Sequence, residues 1–257
     1  MTAAATPVRA FIDPAQTIPD LQAVIEDAMV NDPRSLQTTL GPSEIGCACD
    51  RCLITMLTAQ ASGVKAPEDF AAWLPTLGRA VHEWLEWTVL NHLAVSGSDR
   101  YLVEGRVAVG TVGGVEIFGN SDVFDTHTGT VVDYKITGTT TLRSCKKAGA
   151  KTTYRNQIQT YGKGWEDAGY DVRSVAAWYL PRNGFTVGAG YLHQEPYDRQ
   201  IALDVLARAD MFASAVAAFG SDAVLAAAGP HTGTEFSCPS TKPTPTAEGF
   251  LMGTSEV

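Results

Sequence analysis

Gly119-Asn120-Ser121-Asp122-Val123-Phe124-Asp125-Thr126-His127-Thr128-Gly129-Thr130-Val131-Val132-Asp133-Tyr134-Lys135 is the stretch whose reading decides the fold. A two-residue turn centred on His127-Thr128 makes it a β-hairpin and sets Asp122 directly opposite Asp133. Side chains on a strand alternate faces, so Asp133 and Lys135 share one face while Tyr134 points away, and cross-strand partners stand only ~5 Å apart between Cβ atoms. Two carboxylates and an ammonium therefore converge.

Carboxylate oxygens suit Mg²⁺ or Mn²⁺, which prefer octahedral oxygen ligands and keep several waters. A lysine beside them orients or activates a water. Hydrolysis of a phosphodiester needs this combination, because charge builds on the phosphoryl oxygens while a hydroxide is delivered in line with the leaving oxygen. The same three residues also occur in ordinary exposed salt-bridge ladders, so the rest of the chain has to decide.

The chain has 257 residues, 45% hydrophobic and 18% charged, which is enough for one sizeable core with terminal extensions. Residues 1–18, rich in Ala, Thr and Pro, read as a loose arm, residues 19–238 as one domain, and residues 239–257 as a flexible tail. The start of the chain lacks a basic segment followed by an apolar run, and no stretch is long and apolar enough to span a bilayer, so a cytoplasmic protein with no membrane partner is expected. A net charge of −9 argues against a general DNA-coating protein. The distribution qualifies that: from Ile136 to Gly164 no acidic residue occurs, while Arg143, Lys146, Lys147, Lys151, Arg155 and Lys163 all fall there. A basic segment directly after Lys135 favours a polyanionic substrate.

Hydrophobic periodicity predicts a short helix over Pro19–Val30, a helix capped by Ser43 and running to about Gln60, and a long helix over about Ala66–Val95 with Leu77, Val81, Trp84, Leu85 and Thr88 as its buried stripe. Strands follow at Tyr101–Val109, Val115–Phe124 and Thr130–Ile136. A helix over Thr152–Ala168 crosses back, Arg173–Leu180 and Phe185–His193 alternate as strands, and Arg199–Ala228 reads as a final Ala-rich helix. The order predicts an α/β fold, a central mixed β-sheet flanked by helices.

Two further patterns lie on helices. Gly78-Arg79-Ala80-Val81-His82-Glu83-Trp84-Leu85-Glu86 puts His82 and Glu86 one turn apart on one face, and Gln157-Ile158-Gln159-Thr160-Tyr161 does the same for Gln157 and Tyr161. Together with Gly119-x-x-Asp122 and Asp133-Tyr134-Lys135, the order resembles the PD-(D/E)XK nucleases. Within them it is similar to the RecB-like exonuclease branch, which carries a Gly-x-x-x-His helix before the hairpin and a Gln-x-x-x-Tyr helix after it. The branch often has Glu where this chain has Asp133; either carboxylate coordinates Mg²⁺, so reach changes and principle does not.

The resemblance spans about Ser43 to Tyr161. It implies a restriction-endonuclease-like core and a metal-dependent DNA exonuclease of recombination, repair or phage DNA processing. Asp122, Asp133 and Lys135 would be catalytic. His82, Asp122, Asp133 and the Tyr134 backbone carbonyl would hold Mg²⁺ or Mn²⁺, with Glu83 and Glu86 as further candidates. Gln157, Tyr161, Arg143, Lys146, Lys147, Lys151 and Arg155 would hold DNA, with a helicase or recombinase as a protein partner. Exposed acids gathered for a metal add little net stability, so their removal is expected to leave the fold intact.

Cys47, Cys49 and Cys52 crowd into Gly46-Cys47-Ala48-Cys49-Asp50-Arg51-Cys52, with Cys145 in the basic segment and Cys238 near the tail. Some RecB-type nucleases, including the CRISPR-adaptation kind, clamp a [4Fe-4S] cluster with cysteines from both ends of the domain. That resemblance implies Cys47, Cys49, Cys52 and Cys238 as its ligands, although the usual pattern of one N-terminal and three C-terminal cysteines is reversed here. Zinc and ordinary buried thiols are the alternatives. Two rival functions also stand: a catalytically silent DNA-end-binding module, and a structural or regulatory protein governed by metal at the cysteines.

Overall fold

The computed structural model describes residues 16–31, 38–64 and 73–232. Most of the expected arm, the whole tail, Cys238 and the first residues of the helix expected from Ala66 lie outside the described residues. The elements run in the order α1 (Thr17–Val30), α2 (Pro42–Ile45), α3 (Asp50–Ser62), α4 (Trp73–Ser96), β1 (Tyr101–Val112), β2 (Val115–Asp125), β3 (Thr130–Thr137), α5 (Thr139–Ala148), α6 (Thr152–Asp167), β4 (Ser174–Pro181), β5 (Tyr191–Pro196), α7 (Arg199–Phe219) and α8 (Ser221–Ala227).

The five strands form one mixed sheet in sequential order, antiparallel except for the parallel β3–β4 pair. A parallel pair needs a crossover, and α5 with α6 supplies it. Helix α6 packs on β1, β3 and β4, and α7 packs on α6 and β1. On that face Val131 joins Ile158 and Tyr161 of α6 in the main core, with Val109, Phe124 and Leu206. On the other face Val123, Tyr134 and Leu180 form a smaller cluster against Leu85 of α4. The period-2 alternation of β3 therefore sends Val131, Asp133 and Lys135 toward α6 and Tyr134 toward α4.

Several expected boundaries change. The helix expected from Ser43 to Gln60 is two helices, because the chain leaves helical conformation at Cys49, whose φ of −95° and ψ of 114° are extended. Ser43 does not cap; Gly41 is the N-cap, and its N–H donates to Glu44 Oε2 at 2.9 Å. The expected Ala-rich terminal helix breaks at Gly220 into α7 and α8. Residues expected to begin the last strand at Phe185 instead form a turn with a short 3₁₀ segment, Val187–Ala189, and β5 starts at Tyr191. The basic segment between β3 and α6, for which periodicity predicts no element, folds as α5 with Leu142 and Cys145 buried.

The predicted buried stripe of α4 is only half-buried, with Leu85 packed on the Val123–Tyr134–Leu180 cluster. None of its residues is fully covered, and Trp84 is 58% exposed. The apolar positions of α1, Leu21, Val24 and Ile25, are exposed. No helix among the described residues is long and apolar enough to cross a membrane.

Candidate functional site

The hairpin is real, with a longer turn than expected. Residues 126–129 connect the strands, closed by the Asp125↔Thr130 pair and by the Gly129 N–H donating to Asp125 O at 2.8 Å. The centre remains His127-Thr128, so the four-residue loop keeps the register that a two-residue loop would give. Gly129 adopts a left-handed φ of 66°, and a Cβ there would meet Asp171 O at 2.4 Å, which is why glycine occupies it. Asp125 closes the turn by accepting from His127 N and from both guanidinium arms of Arg100. That bidentate pair holds the Asp125 carboxyl down at about 2.

The ladder between β2 and β3 has only three pairs, Asp125↔Thr130, Phe124↔Val131 and Val123↔Val132. Continuing the register places Asp122 opposite Asp133, as the sequence predicts, but there the strands part. The Tyr134 N–H, left without a backbone acceptor on β2, donates to Asp122 Oδ2 at 2.5 Å. A strand residue's N–H and C=O point to the same side, so the Tyr134 carbonyl faces the same gap. Gly119, three residues before Asp122, is fixed by close approach: a Cβ there would lie 2.6 Å from the Pro42 ring and 2.7 Å from Tyr161 Cε1.

Helix α4 reaches this gap from the other side of the sheet. His82 Nδ1 lies 3.2 Å from Asp122 Oδ1, and its ring meets Tyr134 edge-on. Burial disfavours the imidazolium, but the hydrogen bond and charge of Asp122 outweigh it and raise the His82 pKa.

From the α6 side come Asp133, Lys135 and Gln157. Lys135 Nζ sits 2.6 Å from Asp133 Oδ2, donates to Gln157 Oε1 at 2.8 Å, and lies over the Tyr154 ring. Gln157 Nε2 donates to Asp133 Oδ1 at 3.2 Å, so the amide ties both ends of the ion pair. Burial drives the Asp133 carboxyl upward; Lys135 pulls it back, the Asp122 charge adds to the rise, and the net shift is up. Burial alone would lower Lys135, but Asp133 more than compensates, so the lysine is held as an ammonium.

One acid escaped the sequence reading. His82, Glu104 and Asp122 bring one donor atom each within 4.8 Å of one another, whereas Glu83 and Glu86 do not belong to that group. Glu104 sits between the pairs Val103↔Val123 and Gly105↔Ser121, which places it opposite Asp122 in register, with a left-handed φ of 48°. Such a conformation costs a non-glycine residue on the order of 1 kcal/mol, and strain of this kind concentrates at functional sites. A sequence signal existed: a lone acid directly between the apolar run Tyr101-Leu102-Val103 and Gly105.

Two carboxylates and an imidazole at this spacing fit a divalent ion of the Mg²⁺ or Mn²⁺ kind, with hard oxygens dominating the set. Asp133 Oδ2 is buried and makes no well-aligned hydrogen bond, although Lys135 stands beside it.

The remaining expected contacts divide. Gln157 and Tyr161 are 5% and 6% exposed, and the Gln157 amide is engaged by Asp133 and Lys135 rather than turned to solvent. Arg155 pairs with Glu195 at 2.7 Å, and Lys146 donates to Ala189 O. Arg143 and Lys147, one turn apart on α5, are exposed, as is Lys151 at the start of α6. Cys47, Cys49 and Cys52 pack together in a buried cluster, while Cys145 is buried separately on α5.

No protein-family model matches the chain, and no curated protein sequence matches it. Among solved structures it is similar to an alkaline exonuclease from Laribacter hongkongensis, with a TM-score of 0.48 and 13% identity over 76% of this chain and 93% of that one. It is also similar to a phage-related exonuclease from Haemophilus somnus 129PT, with a TM-score of 0.46 and 11% identity over 74% of this chain and 96% of the other.

Proposed function

We propose that this protein is a divalent-metal-dependent deoxyribonuclease, acting as an exonuclease on phosphodiester bonds. The observation that carries the reading is the buried Asp133–Lys135 ion pair, clamped by Gln157 beside the Asp122 carboxylate at the point where β2 and β3 part. Burying two charged groups at a ladder end is costly, and a fold that needed only stability would fill such a position with apolar side chains.

His82, Asp122, Asp133 and the Tyr134 carbonyl, together with Glu104, would hold Mg²⁺ or Mn²⁺, which when bound supplies Lewis-acid stabilisation of the phosphoryl oxygens and an acidified water. Lys135 is an ammonium and therefore a donor: it holds the water's oxygen by hydrogen bonding and does not take its proton. Asp133 fixes the ammonium, and Gln157 holds both. Gln157 is a positioning residue in this reading, and DNA contact falls to the exposed bases Arg143, Lys147 and Lys151. Polyanion binding by an acidic chain depends on such local charge.

The test is incubation of the purified full-length protein with end-labelled linear DNA and with closed circular DNA, with and without Mg²⁺ or Mn²⁺. Loss of label from linear DNA only when the metal is present supports the proposal. Binding of ends with no turnover in either metal rejects the enzyme reading in favour of a silent end-binding module, and cutting of closed circles makes the enzyme an endonuclease.

A further inference from the structure

A second group of metal-ligating side chains lies away from the hairpin, where the two ends of the described domain meet. Cys49 is the N-cap of α3 and Cys52 lies in its first turn, both buried. His231 returns from 179 positions further along the chain than Cys52. Its Nδ1 is 3.4 Å from Cys52 Sγ and 3.6 Å from Cys49 Sγ, and all three donor atoms fall within 4.8 Å of one another.

These distances can be compared with what one ion demands. Zinc takes Zn–S bonds of ~2.3 Å and Zn–N bonds of ~2.0–2.1 Å at tetrahedral angles, which puts sulfur and nitrogen ~3.6 Å apart. Both observed separations agree. Hydrogen bonds within the trio set no particular sulfur-to-nitrogen distance for both contacts, whereas one tetrahedral ion sets the same ~3.6 Å for each. A cation at the centre satisfies all three donors at once.

We propose that Cys49, Cys52 and His231 form a structural Zn²⁺ site that fastens the segment following α8 to the start of α3. Thiolates with an imidazole form a soft-to-borderline set that selects zinc over Mg²⁺ or Ca²⁺. An iron–sulfur cubane fits less well, because each of its ligands binds a different iron and the ligand atoms stand further apart than around one ion. Cys47 Sγ packs in the same cluster, 3.6 Å from the Cys49 carbonyl, and a change of rotamer or a water completes the tetrahedron.

The surroundings brace the site. Arg51 Nη1 donates to Leu225 O at 2.7 Å and to Ala228 O at 3.4 Å, tying α3 to the end of α8. Arg208 of α7 donates to Cys47 O at 2.8 Å and to Asp50 Oδ1. The ligands thus come from segments already held together by charge-assisted hydrogen bonds, so little ordering remains when the ion binds.

The experiment uses the full-length protein purified without added metal or chelator, with metals and acid-labile sulfide quantified. One zinc per chain is expected, with a melting temperature that falls by several degrees on chelation and recovers when Zn²⁺ alone is returned. Co²⁺ exchanged into the wild-type protein should give the visible bands of a tetrahedral site with thiolate-to-metal charge transfer. Asp122→Asn should keep that charge-transfer band, because the carboxylate site holds no thiolate, whereas His231→Ala and Cys52→Ser should lose the zinc. Should either variant fail to fold, the wild-type cobalt spectrum decides by itself. Protein with no bound zinc and no thiolate–cobalt band overturns the proposal, and so does stoichiometric iron with sulfide.

Discussion

Replacing Lys135 by Met removes the ammonium while keeping most of the apolar stem. In the structure that ammonium lies 2.6 Å from Asp133 Oδ2, and the two side chains are 15% and 4% exposed, so the pair is shielded from solvent. Breaking a buried pair by deleting one partner costs about 3–5 kcal/mol, because the other charge is left in a poorly solvated site. Lys135→Met should fall near the lower end, since Asp133 is already raised and takes up a proton once the lysine is gone. Its folded pKa then lies further above its unfolded value, so the deficit should shrink as pH falls through the folded pKa. Asp133→Asn strands the ammonium with Gln157 and the Tyr154 ring, and should cost a similar amount. The double variant Asp133→Asn/Lys135→Met has no stranded charge. Its loss should be smaller than the sum of the single losses, with a coupling of about 2–3 kcal/mol. Urea unfolding followed by tryptophan fluorescence gives all three values, and cleavage of end-labelled DNA is read on the same samples. The double variant should be about as stable as either single variant, well short of the summed loss, while cleavage stays absent in all three. Additive stability losses would show that the pair is not the buried unit described, and near-parental cleavage by Lys135→Met would remove the lysine from the chemistry.

Arg100→Ala should lower stability at neutral pH, and the gap to the parent should narrow as pH falls through the ordinary carboxylate range and close below about 2, where Asp125 is protonated in both proteins; a gap unchanged in acid would mean the pair does not depress Asp125. Gly119→Ala drives a methyl into the Pro42 ring and Tyr161, and should cost about 1–3 kcal/mol by overpacking, read as a lower urea midpoint. Replacing Arg143 and Lys147 together by Ala should flatten the dependence of log K for DNA on log salt by roughly 1–2, and parallel slopes would place α5 away from the substrate. His82→Ala should raise the Mn²⁺ concentration needed for half-maximal cleavage, whereas an unchanged requirement would make His82 a structural partner of Asp122 alone.

The parts of the fold that were legible in the sequence are those set by short-range periodicity. The three consecutive strands and the helix α6 fall where alternation and helical spacing put them, and the hairpin register survives a change in turn length because the loop stays centred on His127-Thr128. The misses arise where long-range contacts decide. The helix expected from Ser43 breaks at Gly46-Cys47-Ala48-Cys49, and there Arg208 donates to the Cys47 carbonyl from α7. Helix α5 was hidden because its run of basic residues masked Leu142 and Cys145, which are spaced three apart and alone face the core. The apolar stripe of α4 was overread, since an amphipathic pattern shows that a face can be buried and does not say what covers it. His231 carries no local signal, because its neighbours come from the opposite end of the domain.

Within the candidate site, the expectation that its acids are exposed fails for a physical reason. Asp122 and Asp133 are 8% and 3% exposed because they lie where a ladder ends inside the domain, not on its surface. A ladder that stops there leaves an orphan N–H on Tyr134, and a buried orphan donor costs free energy comparable to a lost hydrogen bond. Asp122 supplies the missing acceptor with one carboxylate oxygen and turns the other toward His82. The same carboxylate therefore terminates the sheet and faces the gap that the termination creates. A longer β2–β3 ladder would satisfy Tyr134 through the backbone and would close the space between Asp122 and Asp133. The splay that weakens the sheet is thus the feature that lets Asp122 reach His82 and Glu104 while Asp133, across the gap, stays paired with Lys135.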